Sequence, residues 1–329
     1  GAVACDVFGD DRSELKVQSP VMQPEDLVKG TDNWYATLCR QCPTSEGIVV
    51  RVMEGRAKKV QGNPDYPVNL GKQTARCDAG LQSLYHPDRL VGPMRRIGPR
   101  GAGEFTSIGW DQGLDSLKNA LNERSDGLVI ISDPVRAHSA MINDRFAKAF
   151  GGVHWGFEAL DQGVYKTAIK NVFGQDNIPD LDIGRSKYLL SFGADFLSTW
   201  GSPTRWSIGY GAFRDSSHGD QRGTHIHIDP RFSMTASNAD KWLAVAPGTE
   251  GYLALSIAYV IISEGLQADG VDVDYLTGGR GADALSAFSP EAVGPMLNLH
   301  EGILGDHSAS DLIKELAREF AEHGPALAI

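Results

Sequence analysis

The feature that most constrains this chain is an alternation of short apolar runs with amphipathic helical stretches, starting near residue 105. "GWDQGLDSLKNALNERS" carries Leu114, Leu117 and Leu121 at helical spacing and leads into "GLVIIS", a run suited to a buried parallel strand. "SAMINDRFAKAFG" is the next helix, with Gly151 placed to cap its end. "KYLLSFGAD" and "THIHIDPR" follow as two further buried strands, and "TEGYLALSIAYVIISEG" closes the unit as an apolar helix. Parallel strands can be joined only by long crossovers, so this alternation specifies a parallel sheet covered by helices on both faces.

The chain ahead of residue 105 has a different character. Residues 1–33 are polar and proline-bearing and read as an extended leader. In 34–104, "GIVVRVMEGRAKKVQGN" reads as a hairpin turning at Glu54-Gly55, and "AGLQSLYHPDRL" as a short helix stopped at His86-Pro87. We expect a small β-rich domain over 34–104, the α/β unit over 105–265, and the start of a further α/β domain over 266–329. In that last part "SASDLIKELAREFAEHGPALAI" gives a helix with a capping box at Ser310 and then a strand without a successor, which suggests that the chain continues.

Charge and length exclude several classes. The net charge of −11, with no block of Lys or Arg, argues against a nucleic-acid partner. The longest apolar run, "GYLALSIAYVII", is too short to span a bilayer. Four cysteines in 329 residues form no disulfide framework. Cys5 ends "GAVAC", which looks like the small-residue tail of a signal peptide and would then be lipidated, although Ala2 replaces the usual leucine; otherwise Cys5 is a free thiol.

"CRQCPTSE" opens as a cluster-binding loop of the C-x2-C-x3-C kind, with Cys39 and Cys42 in the first two places and Glu46 in the third. The hairpin that follows continues as "GIVVRVMEGRAKKVQGNPDYPVNLGKQTARCDAGLQSLYHPDRLVGPMRR". This stretch, with "SFGADFL" and "IDPRFSMTASNADKWLAVAPGTEGYLALSIAYVI" after it in order, resembles the molybdopterin oxidoreductase superfamily over about residues 34–264. The resemblance implies a dimethyl-sulfoxide-reductase-like fold, with a small iron–sulfur-type domain followed by a Rossmann-like pterin domain. Within the superfamily, "PVMQPEDLVKGTDNWYAT", "SFGADFLSTWGSPTRW" and "PGTEG" are similar to the large subunit of bacterial alternative complex III, a membrane quinol-oxidising assembly.

That narrower resemblance implies a non-catalytic, molybdoenzyme-like scaffold on the periplasmic face of the membrane. Its partners would be a multihaem cytochrome c and quinol-binding membrane subunits. Molybdopterin is expected to be absent, and the iron–sulfur clusters are expected beyond residue 329. The alternative is an active molybdopterin-dependent oxidoreductase with an N-terminal iron–sulfur cluster.

The resemblance also assigns sites. Where relatives carry their molybdenum ligand, "GGVHWGFEALDQGVYKTAIKNVFGQD" has neither Cys nor Ser and offers Asp161, whose plainer reading is a solvated loop residue. Cys39, Cys42 and Cys77 are the candidate cluster ligands, with Thr74 in the fourth cysteine's place. The other reading makes these thiols small buried hydrophobes, and the loss of two of four positions weighs toward it. Asp229 and Arg231 match the turn that contacts the pterin dinucleotide; here they are expected to persist as a structural pair, with Arg231 bridging to a carboxylate such as Asp240. His225 and His227 face one side of a strand and are expected to be hydrogen-bonded against a helix or domain boundary rather than to bind metal. His86 and His154 have no supporting neighbours.

Overall fold

The computed structural model describes residues 30–41, 44–123, 127–133, 137–157, 162–175, 177–217 and 222–329. Contacts divide the chain into two units, Gly1–Asp161 and Gln162–Ile329.

In the first unit β1 (Asp32–Leu38), β2 (Gly47–Met53) and β3 (Arg56–Gly62) form an antiparallel sheet in that order. Glu54 and Gly55 both take positive φ, of 50° and 77°, the paired left-handed geometry that lets a two-residue turn follow the strand twist. The hairpin expected at this dipeptide is therefore present. Helix α1 (Ala75–Leu84) packs beside β3, and Cys39, Ile48, Val60 and Cys77 make the small core between them. Then come β4 (Met94–Arg96) and β5 (Phe105–Ser107), an antiparallel pair, and α2 (Trp110–Glu123).

Next, β6 (Val129–Ser132), α3 (Ala137–Ala149) and β7 (Val153–Gly156) form a parallel strand pair with its crossover helix. The elements are those expected, but their burial is not. Ile131 is 68% exposed, and of the three leucines on α2 only Leu121 is buried. The apolar pattern identified strand and helix correctly, while among the described residues Val129, Ile131, Val153 and Trp155 of the two-stranded sheet stay exposed.

The second unit begins with α4 (Gly163–Phe173), then β8 (Tyr188–Phe192), α5 (Pro203–Arg214), β9 (Thr224–Ile228), α6 (Met234–Asn238), β10 (Lys241–Leu243) and α7 (Glu250–Ser263). Short helices α8 (Val273–Thr277), α9 (Pro290–Val293) and α10 (Glu301–Leu304) lead to α11 (Ala309–Glu322) and β11 (Ala326–Ala328). The sheet is parallel, in the order β10-β9-β8-β11. The helix and strand assigned from sequence to a further α/β domain thus run as α11 and β11, and β11 pairs with β8. The cap of α11 is Ser308, not Ser310: Ser308 and Asp311 exchange side-chain and backbone hydrogen bonds as a capping box.

The two faces of this sheet differ. On one, Tyr188, Leu190, Ile226 and Ile228 pack with Leu253, Ile257 and Val260 of α7 and Leu312, Ile313 and Leu316 of α11. Each fully buried aliphatic side chain there contributes roughly 1.5–3 kcal/mol. On the other, Leu189 packs with Phe196 and with Trp206, Tyr210 and Phe213 of α5. Strand alternation puts Ser191, His225 and His227 on this second face as well.

A Cβ added at Gly62 would lie 2.4 Å from the backbone of Gly71 and Lys72, whereas one added at Gly251, in α7, meets nothing within 4 Å. Gly62→Ala is expected to destabilise the first unit by about 1–3 kcal/mol in urea titrations. Gly251→Ala is expected to be neutral or to stabilise by about 0.5–1 kcal/mol.

Candidate functional site

In the first unit the candidate donors converge on the loop after β1 and the start of α1. Cys39 is 5% exposed, Cys77 1% and Glu46 0%. Glu46 is held by what surrounds it. One carboxylate oxygen accepts hydrogen bonds from the Thr74 amide (3.1 Å), the Thr74 hydroxyl (3.4 Å) and the Cys77 thiol (2.8 Å). Thr74 caps α1 and accepts from the Cys77 amide. The two residues that replace cluster cysteines therefore bond to each other, and the Cys77 thiol, in the first turn of α1, bonds Glu46 as well. These side chains bring sulfur and carboxylate oxygen together, but as they stand Cys39, Cys77 and Glu46 are not arranged to hold a metal ion. Cys42 lies outside the described residues, as do Cys5 and Asp161.

The loop is also fixed from behind. Asn69 bonds both the amide and the carbonyl of Gly47 and the carbonyl of Lys72 (3.0, 2.8 and 2.6 Å). His86 accepts from the Asp88 amide, and His154 bonds Ser132 at 2.9 Å.

In the second unit the carboxyl ends of β8 and β9 carry a polar cluster, where open α/β sheets place ligands. Asp229 is 6% exposed and accepts from the Arg231 amide at 2.8 Å, and Trp242 Nε1 donates to its carbonyl at 2.7 Å. Arg231 does not bridge to Asp240. It pairs with Asp195 at 2.9 Å, while the other Asp195 oxygen accepts from Thr235 at 2.8 Å. Asp240 stands at the opposite end of the strands, paired with Arg214 and with Arg222 (3.1 Å). The five-residue strand β9 separates the two ends, which is why Arg231 takes the nearer carboxylate. Gly193, at φ 65° with nothing within 4 Å of an added Cβ, leaves open space at the end of β8.

His225 and His227, both 0% exposed, are hydrogen-bonded on the α5 face as expected. Ser191 bonds His225 Nε2 at 2.8 Å and His227 Nδ1 at 2.6 Å, and Tyr210 Oη lies 3.1 Å from His225 Nδ1. His227 Nε2 is 3.4 Å from both Asp229 Oδ2 and Ser233 Oγ. Burial first, then His227 and Arg214, push the His225 pKa down to about 3. Burial also lowers that of His227 against the opposing pull of Asp229. For Asp240, burial alone would raise the pKa, but hydrogen bonds from Arg214 and the His225 amide outweigh it and hold it below the ordinary value.

The sequence reading missed Ser191, Asp195, Tyr210 and Thr235. Ser191 left one usable signal: a hydroxyl inside the otherwise apolar "YLLSF" of a buried strand. Among the described residues no group of three or more His, Cys, Asp or Glu is arranged to hold a metal ion, and no helix is long and apolar enough to cross a membrane.

A small cysteine-bearing hairpin domain joined to a parallel-sheet unit with polar strand ends defines a cofactor-binding oxidoreductase architecture. Residues 89–317 match the family model "Molybdopterin oxidoreductase" and residues 32–86 match "Molybdopterin oxidoreductase Fe4S4 domain", so the chain belongs to the molybdopterin oxidoreductase family. It is 30% identical over 273 residues to the menaquinone reductase, molybdopterin-binding-like subunit, of Nitratidesulfovibrio vulgaris, covering 81% of this chain and 37% of that protein. It is 30% identical over 251 residues to the molybdopterin-containing subunit of arsenate respiratory reductase from a Shewanella species, covering 72% of this chain and 28% of that one. Acetylene hydratase from Pelobacter acetylenicus shares the fold, with a TM-score of 0.66 at 18% identity over 89% of this chain and 39% of that chain. The chain spans well under half the length of these relatives.

These matches correct the cofactor expectation. Both family models fall on this segment, which is therefore a region of the molybdopterin-binding and Fe4S4-binding type, not one expected to lack molybdopterin and to be without a cluster. The substitutions at Glu46 and Thr74 change single donors; they leave in place the hairpin, loop and capped helix that make the binding framework.

Because the buried His225 titrates below its unfolded value of 6.5, its contribution to stability is complete above that pH and is lost as the pH falls toward 3. The unfolding free energy is expected to fall across this window with a slope approaching about 1 kcal/mol per pH unit. His225→Gln should flatten the profile. A wild-type profile that is level from pH 7 to pH 4 would contradict the assignment.

Proposed function

We propose that this chain forms the iron–sulfur and pterin-binding part of a redox-active molybdopterin oxidoreductase subunit, serving a membrane-bound, quinone-linked electron-transfer complex. The observation that carries the reading is the polar cluster at the carboxyl ends of β8 and β9, within the segment that matches the pterin-domain model. Arg231, whose side chain is 65% exposed while its partner Asp195 is buried, would be open to bond a dinucleotide's polar groups. Asp229 and Thr235 hold the turn that presents it.

In the first unit Cys39, Cys42 and Cys77 would supply thiolates to a cluster, with Glu46 as the neighbouring anionic oxygen. When bound, the pterin-held metal supplies two-electron oxo-transfer or dehydrogenation chemistry, and the cluster passes single electrons. The residues of this chain orient those groups and keep water from the buried thiols. The quinone link rests on the similarity to a menaquinone reductase subunit. We infer an assembly of the alternative complex III kind, which would place this chain with a multihaem cytochrome c and quinol-binding membrane subunits at the periplasmic face of the inner membrane, with a lipid on Cys5.

Full-length subunit purified from cells supplied with molybdate and tungstate is expected to carry one of these metals and an extractable fluorescent pterin near one per chain. Protein containing neither would overturn the reading. Cys39→Ser and Cys77→Ser are each expected to lower bound iron several-fold while leaving the pterin in place.

A further inference from the structure

The polar groups buried on the α5 face form one unbroken line along β9. It starts at an open cavity of about 600 Å3 lined by Tyr210, Arg214, Arg222, Asn238 and Asp240, at the amino ends of β9 and β10. From Tyr210 Oη it runs 3.1 Å to His225, 2.8 Å to Ser191, 2.6 Å to His227 and 3.4 Å to Asp229. His225, Ser191 and His227 are each 0% exposed, Tyr210 8% and Asp229 6%. His225, His227 and Asp229 are alternate residues of one strand and its end, so the line covers about 13 Å. It joins the cavity to the polar cluster where this fold seats ligands.

The stations share one chemical property. A hydroxyl and a neutral imidazole each donate and accept, so the line holds no fixed donor such as Lys or Arg between its ends. It therefore has two complete arrangements. In one, the Tyr210 hydroxyl donates to the Asn238 carbonyl 2.7 Å away, His225 Nδ1–H donates to Tyr210, Ser191 donates to His225 Nε2, and His227 Nδ1–H donates to Ser191. His227 Nε2 then accepts from Ser233. In the other, Tyr210 donates to His225 Nδ1, His225 Nε2–H to Ser191, Ser191 to His227 Nδ1, and His227 Nε2–H to Asp229. The single Tyr210 proton, with two acceptors in reach, is the point at which the arrangements compete.

We propose that Tyr210, His225, Ser191, His227 and Asp229 form a proton relay between the cavity and the ligand end of the sheet. In the forward step Tyr210 Oη takes a proton from a hydronium ion in the cavity, leaving water, as its own passes to His225 Nδ1. The Nε2 proton of His225 moves to Ser191, the Ser191 proton to His227 Nδ1, and the Nε2 proton of His227 to the Asp229 carboxylate. One proton enters at Tyr210, one arrives on Asp229, and both imidazoles exchange tautomer without holding a charge. Passage in the other direction restores the arrangement from which the step began, so the line shuttles protons and does not pump them. Arg214 and Asp240 flank its mouth, Asp195 and Arg231 its far end. Burial keeps both imidazoles neutral near pH 7, the state that can both give and receive. The relay rests on the three hydrogen bonds from Tyr210 to His227 and the 3.4 Å approach of His227 to Asp229, and is independent of which cofactor the subunit carries.

The test is long-range 1H–15N correlation spectroscopy on full-length protein labelled with 15N-histidine, at pH 7. Both tautomers are expected at His225 and at His227. Their ring N–H protons are expected to exchange with water at least ~10-fold faster than the backbone amides of β8 and β9 beside them. Ser191→Ala should uncouple the rings, fixing His225 as Nδ1–H and His227 as Nε2–H, and Ser191→Thr should restore the coupled pattern. A single tautomer at each ring in the wild-type protein, with ring protons exchanging no faster than those amides, would overturn the relay whether or not the variants fold.

Discussion

Three side chains that water would otherwise satisfy, Ser191, His225 and His227, sit wholly inside the larger unit, and the placement of its elements follows from pairing them. An unpaired buried donor or acceptor costs about 1–3 kcal/mol, so a slip of one residue between β8 and β9 would be penalised several times over. The observed register sets Ser191 opposite His227 and Leu189 opposite His225, which lets one hydroxyl serve both rings. Tyr210 completes the line and thereby fixes the rotation of α5, with the Phe196 ring 5.6 Å from that of His225. Asp240 bonds the His225 amide at 2.9 Å and anchors the strand's start. The opposite face is mostly aliphatic and asks for less, its Tyr188 hydroxyl donating to Glu319.

The cluster-type loop follows a related rule at smaller scale. Once Glu46 stands in a cysteine's place its carboxylate is buried, and buried carboxylates need donors. Thr74, at the other altered position, provides two, and Cys77 a third. Neither substitution is self-sufficient, since each gives the other its partner. The framework around them, with Asn69 clamping Gly47 and Lys72, holds its shape through hydrogen bonds of the chain itself.

Much of the fold was legible in the sequence because it rests on local rules. The Glu54-Gly55 turn, the helix ended near His86-Pro87 and the strands "KYLLSF" and "THIHI" all depend on neighbours a few residues away. Partners distant in sequence were not legible. Arg231 reaches Asp195, 36 residues back, rather than the nearby Asp240. Tyr210 lies on a helix whose aromatic residues read only as core. Ser308 and Ser310 are both plausible caps by composition, and the choice fell to Asp311, which stands three residues after Ser308. The strand "GLVIIS" shows the converse: its pattern is right, but burial depends on what lies across the sheet, which no local pattern encodes.

The position of β11 bears on how such a chain is made. Tyr188 on β8 hydrogen-bonds Glu319 at 2.6 Å across 131 residues, and Ile329 exchanges backbone bonds with Leu190 and Phe192. Chains leave the ribosome amino end first, so β8, β9 and β10 emerge well before α11 and β11. Through that interval one edge of β8 has its amides and carbonyls unpaired, and an open apolar edge is a template for any passing strand. The polar line needs only β8, α5 and β9, and it can lock the register on the other side of β8 while that edge is still waiting for its partner.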